Sequence, residues 1–139
     1  MSLAQVLSGE RHGVFHWRAR ADAERRAEEA GWRYVLLDTA EAGDRDGFLD
    51  RCAEAFDLPA GFGRTWDSLD DCLRGLDLEE PEGLLVVWQG WGTLAEQDPG
   101  AFEVAIEVFQ DACVSWHDDD VPGAVLLIGG GPETDLPAV

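Results

Sequence analysis

Three aspartates fall within five positions in the segment Trp66-Asp67-Ser68-Leu69-Asp70-Asp71-Cys72-Leu73-Arg74-Gly75-Leu76. Turned at about 100° per residue, this segment puts Trp66, Leu69, Cys72, Leu73 and Leu76 on one side of a helix and Asp67, Asp70, Asp71 and Arg74 on the other. Clustered carboxylates can exchange protons as general acid and base, hold a divalent cation, or bind a cationic partner. Two of the three have a structural explanation: Asp67 in the first turn complements the helix dipole, and Asp70 can pair with Arg74 at i, i+4. Asp71 has none, and like charges beside it cost the free helix stability. The face is therefore a candidate cation-binding surface.

A second acidic ridge, Glu103, Glu107 and Asp111, repeats at i, i+4, i+8 outside the apolar stripe Phe102, Ala105, Ile106, Phe109, Ala112, Cys113 and Trp116. On its own this is a weak signal, because a solvated charged face is the usual explanation for such a ridge. Catalysis by these carboxylates is disfavoured, because phosphoryl-transfer sites add Lys, Arg or His to neutralise developing charge. The chain has no Lys, and His12, His16 and His117 lie outside both carboxylate segments. Gly129-Gly130-Gly131-Pro132 lacks the Lys-Ser/Thr of a phosphate-binding loop, and GxSxG and HExxH are missing. The expectation is a protein that is not an enzyme and takes no cofactor or metal.

Charge points the same way. The 139 residues carry 29 acids against 10 bases, a formal net charge of −19, and no Arg or Lys follows Arg74. Such a chain repels phosphate backbones and anionic membranes, so neither nucleic acid nor membrane is expected as a partner; a basic protein is. The length allows one domain with a sizeable core. Cys52, Cys72 and Cys113 form an odd set without a CxxC pair, each in an apolar-periodic stretch, which predicts buried free thiols in a reducing compartment. No run of 18 apolar residues occurs, nor a charged leader followed by an apolar run, and a cytoplasmic location is expected.

The elements that must position these residues alternate. Strands are expected at 13–18, 32–38, 84–88 and 124–128, and helices at 19–30, 44–56, 66–76 (after Thr65 as N-cap) and 99–116, with 3–10 as a lead-in and a Gly/Pro-rich tail as a simple chain end. The near-continuous apolar runs Leu84-Leu85-Val86-Val87-Trp88 and Ala124-Val125-Leu126-Leu127-Ile128 suit strands covered on both faces. The class is α/β with a mostly parallel sheet and right-handed crossovers.

Leu58-Pro59, Phe62-Gly63, Trp66-Asp67-Ser68-Leu69 and Asp71-Cys72-Leu73 together resemble the signature of the barstar family, intracellular inhibitors of small secreted microbial ribonucleases. The likeness is dense over residues 58–76 and looser, by order of elements, from about residue 32 to 129. It implies a barstar-like domain over 32–130, with a small sheet of three or four strands packed with helices, a 1–31 extension carrying a short strand and helix, and a 131–139 tail.

It also implies a site. The helix and the loop before it would plug a basic, barnase-like ribonuclease one-to-one, as one monomer in a heterodimer, with Asp67 and Asp71 taking the place of substrate phosphate. The partner-binding set is Gly61, Phe62, Gly63, Thr65, Trp66, Asp67, Asp70, Asp71, Arg74 and Gly75, plus Asp111 from the later helix. The chain departs from the family at Gly61, where an aromatic is usual, at Thr65 for Asn, at Asp70 for a large residue, and at Ser115 for a second acid on the later helix. A lost aromatic weakens packing and an added Asp strengthens electrostatics, so an immunity protein against another basic toxin, such as a deaminase or DNase, stays open, with an acidic nucleic-acid mimic behind it.

Overall fold

The computed structural model describes residues 3–8, 12–17, 22–59, 61–77 and 82–138. In chain order the elements are α1 (Leu3–Leu7), β1 (Gly13–Trp17), α2 (Ala23–Glu29), β2 (Trp32–Asp38), α3 (Arg45–Ala55), α4 (Trp66–Arg74), β3 (Gly83–Gln89), α5 (Trp91–Gln97), α6 (Pro99–Asp118) and β4 (Gly123–Ile128). The strands form one sheet in the order β1-β4-β3-β2, and every neighbouring pair is parallel. The chain is α/β, as expected, with four strands among the described residues.

Topology decides which face each helix covers. The path β2 to β3 to β4 steps one way across the sheet, so right-handed crossovers place α3 to α6 on one face. The step from β1 to β2 runs the opposite way, which sends α2 to the other face. Burial follows this division. Leu84, Val86, Trp88, Val125 and Leu127 join a large core with α3 to α6, while the alternate residues Leu85, Val87, Ala124, Leu126 and Ile128 join a smaller one with Val6 of α1 and Ala23 and Ala27 of α2. Both central strands are buried along their whole lengths except for Gln89, which is why they read as unbroken apolar runs.

The path of the chain departs from the expected elements at three places. Residues 91–97 form the unforeseen helix α5, entered through Gly90 in a left-handed conformation (φ 71°); seven residues give too few turns for a periodicity signal. The lead-in contains α1, whose Val6 is fully buried. The tail is no loose chain end: the His16 N–H donates to the Pro137 carbonyl at 2.8 Å, and Leu136 packs against the larger core. Arg18 of the expected first strand, positions 19–21 of the expected first helix, 9–10 of the lead-in, Ala60, and 78–81 between the expected helix 66–76 and strand 84–88 lie outside the described residues. No described helix is long and apolar enough to cross a membrane.

Candidate functional site

A strained loop leads into α4. Asp57 and Arg64, on either side of it, both occupy the left-handed region at φ 52°, which costs a residue other than glycine roughly 1 kcal/mol. The conformation is held by contacts on both sides. Leu58 and Phe62 pack against the core, and Arg64 grips Asp50 of α3 with two bonds, Nε to Oδ1 at 2.7 Å and Nη2 to Oδ2 at 3.1 Å. Thr65 then caps the helix, its Oγ1 accepting from the Ser68 N–H at 3.1 Å. A side chain at Gly63 would bring its Cβ to 2.8 Å from Ser68 Oγ, which would have to turn aside; at Gly61 a Cβ would meet nothing within 4 Å.

The helix itself is split as its period demands. Leu69 and Leu73 are fully buried, and half-buried Trp66 packs on Phe48 with ring centroids 5.7 Å apart. Asp67 and Asp71 are exposed. Arg74 Nε donates to both carboxylate oxygens of Asp70, at 3.0 and 3.1 Å. The Arg74 guanidinium pKa is raised, first by the hydrogen bond and charge of Asp70, then by the charges of Asp111 and Asp71. Asp111, forty residues away in sequence, therefore belongs to the same charged surface.

What brings Asp111 there is the packing of α4 along α6. Trp116 of α6 lies over the bare backbone of Gly123, where a Cβ would come within 2.6 Å of its ring, and its Nε1–H donates to the Leu73 carbonyl at 2.8 Å. Leu73 is in the last turn of α4, where carbonyls lack helical partners, so this bond completes the helix end and holds it to α6. Gly75 closes the helix with its N–H on the Asp71 carbonyl at 3.0 Å.

The loop residues Gly61, Phe62, Gly63 and Thr65 thus lead directly into Asp67, Asp70, Asp71, Arg74 and Gly75, with Asp111 across the helix pair; Phe62 and Trp66 are half-buried beneath. Glu103 and Glu107 do not join them. Each four-residue step on a helix turns about 40° past a full circle, so the ridge drifts around α6, and both glutamates border a groove on its other flank. The Arg64–Asp50 pair has no local sequence signal, since its partners are 14 residues apart.

Among the described residues, no group of three or more His, Cys, Asp or Glu is placed to hold a metal ion. Burial pushes the Cys113 thiol up to about 12 and Cys52 well above its ordinary value, leaving neither a thiolate at neutral pH. All three cysteines are free, but Cys72 is half-buried rather than buried as expected, because it lies at the border of the apolar stripe.

Comparison with known proteins gives a family match and a fold likeness. The family model described as Barstar (barnase inhibitor) matches residues 32–128. No curated protein sequence matches the chain. Among solved structures, the Aeropyrum pernix ORC2 protein (ADPNP-ADP complexes) is similar with a TM-score of 0.54 at 15% identity, over 93% of this chain and 38% of that one. The chain thus spans well under half of that protein, and the likeness is one of fold alone.

Proposed function

The chain belongs to the barstar family, inhibitors of barnase-like ribonucleases, and from that premise we propose that it inhibits a secreted, guanyl-preferring microbial ribonuclease one-to-one, from within the cytoplasm of the cell it protects. In this reading α4 and the loop before it enter the enzyme's active site, where Asp67 and Asp71 meet the cationic groups that otherwise hold substrate phosphate. The observation that carries it is the exposure of Asp67 and Asp71 on a capped helix anchored to the core, beside Asp111. Carboxylates held on a rigid element lose little entropy on binding. Purified protein titrated into such a ribonuclease should abolish activity at one equivalent. A net charge of −19 should also make association slow markedly as salt shortens the Debye length to about 8–10 Å. No inhibition at any ratio, or metal-dependent turnover by the protein itself, would overturn the reading.

A second reading, immunity against a different basic toxin, is favoured by one feature. Asp70 is committed to Arg74, and the space at Gly61 is open, so the contact surface offers an ion pair and a gap where the family usually has large side chains. Titration against a basic deaminase or DNase alongside the ribonuclease separates the two.

A further inference from the structure

The far flank of α6 carries a feature outside the surface proposed for ribonuclease binding. The tail crosses this flank as a strap, fixed by its Pro137 carbonyl to the His16 N–H at 2.8 Å and by Thr134 Oγ1 to the His16 ring. Between strap and helix runs an open groove of about 530 Å³. Its floor is apolar, formed by Phe102 and Ile106 of α6 and Leu136 of the strap. Its walls are acidic on both sides, with Glu103 and Glu107 on the helix and Glu133 and Asp135 on the strap, and among the described residues no cationic side chain lines it.

We propose that this groove docks an extended, basic segment of a protein partner in which cationic and apolar residues alternate. The dimensions favour that occupant. Glu103 and Glu107 are separated by about 6 Å along the helix axis, close to the 6.6–6.8 Å or so between residues i and i+2 of an extended chain. Glu133 and Asp135 are themselves i and i+2 on the opposite wall. The helix flank from Pro99 to Gln110 runs about 16 Å, which five extended residues cover. Cationic side chains can then reach the two walls while the intervening apolar ones face the floor. A compact cation would leave the floor unfilled, and an acidic or neutral peptide would leave four carboxylates without counter-charge.

The test uses the full chain and the blocked peptide Arg-Leu-Arg-Leu-Arg, with Arg-Ser-Arg-Ser-Arg as a control of equal charge, measured by calorimetry at moderate salt. The expected result is at least tenfold tighter binding of the leucine peptide. That preference should be lost in a Glu107→Lys, Asp135→Lys double variant, both positions being exposed, and kept in Asp71→Asn. Equal affinity for the two peptides would reduce the attraction to the general field of an acidic protein and overturn the proposal. Loss of binding in Asp71→Asn, with the double variant unaffected, would place the peptide on α4 and overturn it as well. Circular dichroism of each variant confirms that the fold persists.

Discussion

Replacing Asp71 with alanine should cost more binding energy than any other single change on α4, and the structure gives the reason. Asp71 is exposed and is the one aspartate of α4 that is neither in the first turn nor bonded to Arg74. Asp67, in the first turn, is stabilised by the N-terminal end of the helix even in the free protein. Asp70 is already occupied by Arg74. The Asp71 carboxylate is therefore the one whose charge is least offset before binding. Its removal would strand cationic groups of the enzyme in a closed interface, a loss of roughly 2–5 kcal/mol, mostly in the off-rate. That is about a 30- to 5,000-fold change in Kd, with Asp67→Ala next and Asp70→Ala smallest. Folding should be spared, because an exposed mid-helix Asp→Ala change gains helix propensity and relieves the i, i+4 repulsion from Asp67, for a net change within about 0.5 kcal/mol. Calorimetric titration of the three alanine variants with a barnase-like ribonuclease, with urea melts of each, tests both halves. Wild-type affinity in Asp71→Ala, or its failure to fold, refutes the assignment of this face.

Three further outcomes follow from the geometry. Gly61→Tyr should fold normally, since a Cβ there meets nothing within 4 Å, and should tighten ribonuclease binding by about 0.5–1.5 kcal/mol through an added aromatic contact; unchanged affinity would show that the loop lies outside the interface. Trp116→Phe removes the donor to the Leu73 carbonyl and should lower unfolding free energy by about 1–3 kcal/mol, so an unmoved urea midpoint would show that the bond does not hold α4 to α6. Burial lowers the His16 pKa below its ordinary 6.5, so the unfolded chain takes up this proton first as pH falls. The stability His16 contributes is complete above about pH 6.5 and declines below it toward the folded pKa. Melting temperatures at pH 7.5 and 5.5 should therefore diverge more in wild type than in His16→Gln, and parallel shifts would exclude this origin.

Local pattern made much of the architecture legible. The runs 84–88 and 124–128 announced buried parallel strands because a strand covered on both faces has no polar alternation to show. Thr65 as N-cap and the Asp70–Arg74 pair were readable because both interactions span four residues or fewer. Helix α5 is not, because its seven residues are too few for periodicity and lack the run of Ala, Glu and Arg that marks α2. The packed tail has no local signal either, since glycine and proline mark a turn without saying what the chain meets after it.

The class of fold, the division of α4 into apolar and charged sides, and the family signature over residues 58–76 are legible from residue order, because all are properties of spacing within one element or one connected segment. The family resemblance implies a role for Asp111, but spacing along α6 does not separate it from Glu107; only tertiary structure puts Asp111 on the surface of Asp71 and Arg74 while Glu107, one turn earlier, faces a different groove. The cause is geometric. A helix turns about 40° beyond a full circle with each four-residue step, so which neighbour an acid meets depends on which flank α4 and the strap come to occupy. That is settled by contacts distant in sequence, the Trp116 bond to Leu73 and the His16 bond to Pro137, which no local pattern records.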